Sequence, residues 1–376
     1  MSKQLNRREP LRDVGAACPT TMREIASELG VSVVTVSKVL RHHPDISEAT
    51  RKQVLDRVRE LDYTPNVAAR GLATGKSYLV GLVVPDMSHP FFAQIAKSLS
   101  RVLLKKGYCL AISTSEEGTA LEENGIDPLQ THRLDALVIA SSSTNPSVLE
   151  RIQRRGVPFV LIDRKLPELD ANYVGTDDEA IGLLATEHLI EIGCERIAHL
   201  GGPNNSAGVG LLKGYHNALV KHKLKPFSRY VSMPGLVDAQ SRERGAKLMR
   251  RLLALNPRPD GVFCFNDFMA IGAIQAILDA GLRVPGDIAV IGSGNLHYDA
   301  ELRIPLSTID QQTATIGEQA GRLTLSLLES MTPPPRKTII IQPQLVVRAS
   351  TDKGGKDQAG PGVRGMQNQF MEGWNR

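Results

Sequence analysis

An α/β architecture preceded by a small all-α unit is what the 376-residue sequence predicts, and three observations carry that expectation. Residues 21–40 read as two short helices broken at a glycine, the pattern of a helix-turn-helix. From residue 78 onward, short β-rich apolar runs alternate with amphipathic helical stretches, as in parallel sheets covered by helices on both faces. The alternation is long enough for two units of similar size, hence two lobes.

Thr21 followed by Glu24 forms a capping box, and Ile25, Ala26 and Leu29 make an apolar stripe ending at Gly30, where a tight turn needs a residue without a Cβ. A first helix over about 22–29 follows. Val31 plugs the turn and Ser32 caps a second helix, in which Val36, Val39 and Leu40 face inward. Val33, Val34, Thr35, Ser37 and Lys38 face outward. Small, polar or basic side chains there suit a helix whose N-terminal turn approaches base edges and phosphates. An ordinary helical hairpin carries the same local pattern, so the flanking chain has to separate the two. Ser47 caps a third helix over about 48–61, with Val54, Val58 and Leu61 at helical spacing and Arg51, Lys52, Arg57 and Arg59 adding positive charge. The proline-led stretch 63–75 can form a short helix but has nothing nearby in sequence to bury against.

Strands are expected over 78–84, 108–113, 135–140, 158–163, 196–201, 261–265 and 287–292, with helices over 92–106, 179–192, 209–222, 240–254 and 268–280. Ligands of such sheets sit at the carboxyl ends of strands. That rule selects Asp86 through Phe92, Ser141 to Ser143, Asp163 with Arg164, Asn266 with Asp267, and Ser293 to Asn295. Phe91 and Phe92 offer faces for a sugar ring or a base, one expected in the pocket and the other in the core. Asp163, Arg164, Asn266, Asp267 and Asn295 offer donors and acceptors, although each could equally cap the following helix.

Composition is consistent with this division. Hydrophobic residues make up 41%, and residues 1–80 hold 13 Lys and Arg against 9 Asp and Glu, so most of the net charge of +5 lies at the helical end. Cys18, Cys109, Cys194 and Cys264 lack metal-like spacing and read as buried free thiols of a reducing cytoplasm. No apolar run approaches a membrane helix and no signal-peptide core is present, so a cytoplasmic location is expected, with no membrane partner. Residues 1–19 and 351–376 read as flexible tails.

Residues 20–75 resemble the DNA-binding headpiece and hinge of the LacI family of bacterial transcription regulators. Val83-Val-Pro-Asp-Met-Ser-His-Pro-Phe-Phe92, Gly201-Gly202-Pro203, Phe265-Asn266-Asp267 and the 285–292 run resemble that family's effector domain, so the likeness spans about 20–350. It implies a helix-turn-helix headpiece over 20–64, a hinge over 65–76 and a two-lobed periplasmic-binding-protein-like domain over 77–350, built of two doubly wound parallel sheets with a ligand cleft between them. The partners implied are double-stranded operator DNA, a second copy of the chain as homodimer, and a small-molecule effector; no cofactor is implied. The DNA-contacting set is Thr21, Ser32, Val33, Val34, Thr35, Ser37, Lys38 and Thr50, with hinge residues Asn66, Ala69 and Leu72. By resemblance, paired hinges enter the minor groove, Ala69 permits close approach and Leu72 wedges between base steps. Gln311 joins Phe91, Phe92, Asp163, Arg164, Asn266, Asp267 and Asn295 as an effector-binding candidate. The chain also departs from the family pattern. Leu211 stands where members carry an effector-gripping arginine, Ser293-Gly294-Asn295 replaces Phe-Asp-Asp, and Lys38 stands where arginine is frequent. Arg164 is the candidate replacement cation.

Enzyme signals are weak. Gly208-Val-Gly210-Leu-Leu-Lys-Gly214 has the wrong spacing for a dinucleotide loop, and His188, Cys194 and His199 are spread over a helix, a turn and a strand. No catalytic residues are assigned. A solute receptor without a DNA role and an α/β enzyme with an accessory helical unit are the rival readings, and the helix-turn-helix argues against both.

Overall fold

The computed structural model describes residues 20–40, 43–64, 71, 75–116, 118, 120–122, 126, 133–143, 145–233, 241–330, 332 and 334–353. It divides into two compact units, Met1–Ser77 and Tyr78–Arg376.

The first unit contains α1 (Met22–Glu28), α2 (Val33–Leu40) and α3 (Glu48–Glu60). The capping box is formed: Thr21 Oγ1 accepts from the Glu24 amide at 3.3 Å and Glu24 Oε2 accepts from the Thr21 amide at 2.8 Å. Gly30 turns the chain at φ 64°, a conformation that favours a residue without a Cβ. Ser32 and Ser47 cap α2 and α3, their hydroxyls accepting from the amides of Thr35 and Thr50 at 3.0 and 3.3 Å. Ile25, Ala26, Val36, Val39 and Val54 form the buried centre, with Val31, Leu40, Val58 and Leu61 packed around it. Arg57 ties α3 to α1 through Glu28 at 2.6 Å.

The second unit holds two six-stranded sheets. The N-terminal lobe contains β1 (Leu79–Val84), α4 (Pro90–Leu104), β2 (Cys109–Thr114), β3 (Ala136–Ile139), α5 (Ser147–Arg154), β4 (Phe159–Ile162) and β5 (Asn172–Thr176). The C-terminal lobe contains α6 (Asp178–Glu191), β6 (Ile197–Leu200), α7 (Ser206–Lys221), β7 (Val231–Ser232), α8 (Ser241–Leu253), β8 (Gly261–Cys264), α9 (Asp267–Asp279), β9 (Ala289–Ser293) and β10 (Ser307–Asp310). The chain then returns to the first lobe for α10 (Thr313–Glu329) and β11 (Thr338–Ile341), and crosses once more to β12 (Gln344–Val346). Strand orders are β11-β5-β4-β3-β1-β2 and β12-β10-β9-β8-β6-β7, the same winding twice. All pairs are parallel except β12, which runs antiparallel to β10.

The seven strands expected from aliphatic runs form within two residues of their predicted limits. Tyr78 is excluded from β1 because its φ is 57°, outside the extended region. Strands β5, β7, β10, β11 and β12 and helices α5 and α10 were not anticipated. Apolar side chains fill both faces of each sheet.

Two details correct expectation. Cys109 opens the edge strand β2 and is exposed, whereas Cys194 and Cys264 are buried. The α/β unit also runs past residue 350: Thr351 is 1% exposed and its hydroxyl lies 2.7 Å from both His188 Nε2 and Ser307 Oγ. Hydroxyl anchoring, which leaves no apolar periodicity, holds this end.

The glycines at 208, 210 and 214 lie inside α7. A Cβ at Gly214 would stand 2.0 Å from Glu179 O on α6, and one at Gly210 would stand 2.5 Å from Asp178 Cβ. Gly210 and Gly214 let α7 lie close on the start of α6, and Gly208 lets α7 close on the Pro203 carbonyl before it, so the nucleotide-loop pattern reports the packing of α7.

The three crossovers lie side by side. Thr176 Oγ1 donates to Gln311 O at 2.9 Å, the Asp177 amide donates to Ile341 O at 3.2 Å, and Gln312 Nε2 donates to Gln342 O at 2.6 Å.

Candidate functional site

Two surfaces carry the functional candidates. On the helical unit, α2 presents an exposed apolar pair, Val33 (39% exposed) and Val34 (62%). Hydrophobic side chains cost free energy in water unless a partner covers them, and here they sit in the helix's first turn, beside the amide dipoles that favour phosphate. Ser32 is exposed, and Thr35 and Ser37 are half-buried along the same helix. Lys38 is half-buried and its ammonium lies 3.4 Å from Asp45, which His43 also approaches at 3.2 Å. Thr21 is exposed at the α1 cap; Thr50 is half-buried with its hydroxyl 2.9 Å from that of Ser47. Asn66, Ala69 and Leu72 lie outside the described residues.

In the α/β unit a cleft opens where the two sheets' strand ends meet. The loop after β1 supplies Pro85, Asp86 and His89, and α4 supplies Phe91 and Phe92. Asp163 and Arg164 follow β4, Phe265 and Asn266 follow β8, and Ser293 ends β9. Asp178 starts α6, Ala207 and Leu211 come from α7, and Gln311 comes from a crossover. Strand order reverses beside β1 and β6, and crevices form at such points.

His89 Nδ1 accepts from the Phe91 amide at 3.3 Å, which assigns the proton of the neutral ring to Nε2. Burial lowers its pKa to about 4, so the ring is a neutral donor near pH 7. Its ring meets Phe268 edge-on at 5.0 Å. Phe91 and Phe92 form an edge-to-face pair 5.1 Å apart; both belong to the core and both line the cleft, so the expected division between them is corrected. Arg164 is 6% exposed, its Nε 3.6 Å from Asp163 and its Nη1 donating to Ser141 O at 3.4 Å. Asp163 has φ 62°, a conformation uncommon outside glycine. Asn266 caps α9, its Oδ1 accepting from the Met269 amide at 2.9 Å, and it also lines the cleft. Gln311 Nε2 donates to Ser293 Oγ at 2.9 Å.

Three expectations do not hold. Asp267 is 0% exposed and turned into the lobe, accepting from Thr308 Oγ1 at 2.6 Å and bonded to the Asp299 carboxyl. Burial and that neighbour push its pKa well above the carboxylate range. Asn295 is drawn away from the cleft by Arg348, which donates to its Oδ1 at 2.7 Å, and by Asp310, which accepts from its Nδ2 at 3.1 Å. Ser141 and Ser142 serve the buried Glu122, which accepts from the Ser141 hydroxyl at 2.7 Å and from the Ser142 amide. Sequence reasoning also missed Asp178, because β5, the strand that delivers it, was not recognised. As for the histidine and cysteine candidates, His199 stacks between Tyr215 and Phe263, with centroids at 5.4 and 4.7 Å, and His188 bonds Thr351, so they do not converge with Cys194.

Comparison with known proteins gives two family matches: "Bacterial regulatory proteins, lacI family" over residues 21–66 and "Periplasmic binding protein-like domain" over 186–351. The regulator GalR of Escherichia coli is 34% identical over 88% of this chain and 95% of its own length. The repressor PurR of Mannheimia succiniciproducens is 31% identical over 89% of this chain and 99% of its own. A lac repressor dimer solved bound to operator and the anti-inducer ONPF superposes with a TM-score of 0.76, at 26% identity, covering 89% of this chain and 99% of that one.

Proposed function

Because the chain belongs to the LacI family of bacterial regulatory proteins, we propose that it is a repressor that binds a near-palindromic operator as a homodimer and releases or gains DNA when a small molecule enters its cleft. The carrying observation is the pairing, in one chain, of a recognition helix with an exposed apolar first turn and a cleft lined from both lobes. The relatives support it: GalR and PurR are named as transcription regulators, and the lac repressor was solved as an operator-bound dimer holding an anti-inducer.

In this reading Val33 and Val34 touch thymine methyl groups, Ser32, Thr35, Ser37, Thr21 and Thr50 bond phosphates or base edges, and Lys38 donates to guanine or phosphate. A lysine lacks the planar fork of arginine, so its base discrimination is modest. Asn66, Ala69 and Leu72 complete the interface in the minor groove. Effector contacts fall to Phe91, Phe92, Asp163, Arg164, Asn266 and Gln311. Ligand that binds one arrangement of the lobes better than another shifts their equilibrium through the three adjacent crossovers. The protein acts by binding and not by catalysis, in the cytoplasm and on the nucleoid; no helix among the described residues is long and apolar enough to cross a membrane.

Selection from random duplexes followed by gel shift tests the reading. A palindromic consensus bound by two copies is expected, with retardation changed by a ligand that also raises Tm. Absence of any sequence preference overturns it.

A further inference from the structure

Three carboxylates and one guanidinium face the cleft, and their partners are unequal. Asp86 is satisfied locally, its two oxygens accepting from the Ser88 amide at 2.7 Å and the Ser88 hydroxyl at 2.8 Å. Asp163 lies against Arg164. Asp178 has no hydrogen bond or ion pair with any described residue. Lys165 favours the ionised carboxylate through space but makes no ion pair with it, its ammonium lying over the Tyr173 ring at 4.8 Å from the centroid. His89 is neutral and supplies no charge. The N-terminus of α6 offers Asp178 only a partial positive charge. Burial and the carboxylates of Asp163 and Asp177 work against its ionised form.

On the proposed reading of this cleft as an effector site, we propose that its ligand is a polar ring carrying a protonated nitrogen, the ammonium meeting Asp178 while the ring lies against Phe91, Phe92 and Phe265. The chemistry is complementary on both counts. An ammonium satisfies an acceptor that the protein leaves open, and a carboxylate shielded from water binds it more strongly than one in bulk solvent. Aromatic faces add attraction for a cation. An acidic ligand would bring like charges together, so sugar acids and phosphorylated sugars are excluded.

The test uses the full chain and matched probes at pH 7.5: glucosamine with glucose, galactosamine with galactose, and glucuronate and glucose 6-phosphate as anions, read by thermal shift and calorimetry. At least one amino sugar should bind ten or more times tighter than its neutral parent, and Asp178→Asn should bring the two affinities together. Equal binding of parent and amine, tighter binding of an anion, or no binding by any probe overturns the proposal. A probe whose affinity ignores both Asp178→Asn and Arg164→Ala binds outside the cleft, and then the effector-site reading itself fails.

Discussion

The ammonium of Lys38 rests 3.4 Å from the Asp45 carboxylate, so the lysine of the recognition helix is engaged by an acid seven residues further on. Both side chains are partly exposed, and such pairs are worth about 0–1 kcal/mol. That is enough to matter when phosphate competes for the same lysine.

Asp45→Asn should therefore tighten binding to random-sequence duplex about two- to fivefold at low salt, with the gain shrinking as salt rises. The discriminating measurement is a double-mutant cycle. In a Lys38→Ala background the Asp45→Asn gain should vanish; if it persists, Asp45 acts through the general field and not through Lys38.

Gly214→Ala should destabilise the α/β unit by about 3 kcal/mol or more, because its Cβ would stand 2.0 Å from Glu179 O. Gly156→Ala is a useful contrast, since nothing lies within 4 Å of its Cβ and only its φ of 74° is strained. Urea denaturation followed by circular dichroism should rank the two in that order.

His199 is 0% exposed, and burial lowers its pKa to about 4. Its neutral form is favoured by folding, so its contribution is complete above the unfolded value near 6.5 and lost as pH falls toward 4. The full loss is on the order of 3 kcal/mol. His199→Phe keeps the ring between Tyr215 and Phe263 and should flatten the acid limb of a Tm-against-pH curve; an unchanged limb assigns it to other groups.

Asp267 behaves oppositely. Its pKa is raised, so the folded state holds a proton that the unfolded chain gives up, and stability falls as pH rises toward the folded value. Asp267→Asn preserves an acceptor for Thr308 and a donor for Asp299. It should stay within about 1 kcal/mol of the parent near pH 4 and gain on it as pH rises, whereas Asp267→Ala strands Thr308 and Asp299 and should cost about 3 kcal/mol.

The legible parts of the chain were those where burial is achieved by carbon. Strands β1, β3, β4, β8 and β9 are aliphatic runs, and the helical unit announces itself through Thr21, Gly30 and Ser32. Strand β10 reads Ser-Thr-Ile-Asp, and its Ser307 and Thr308 are buried through hydrogen bonds to Thr351 and Asp267. Such a strand leaves no apolar period. In the cleft, Asn266 and Asn295 look alike from sequence, each a polar residue just after a strand. Arg348, 53 residues beyond Asn295, turns that side chain away, and nothing local to Asn295 reports it.

The winding of the chain also sets an order of assembly. The N-terminal lobe lacks α10, which packs on α4, and the edge strand β11 until synthesis has passed residue 341. By then α6 to β10 of the other lobe have already emerged. Domains fold as their residues become available, so both lobes wait for the end of the chain, the first for a whole helix and an edge strand, the second for the edge strand β12 alone. A nascent chain halted near residue 300 would carry its first sheet with one flank of that helix layer uncovered.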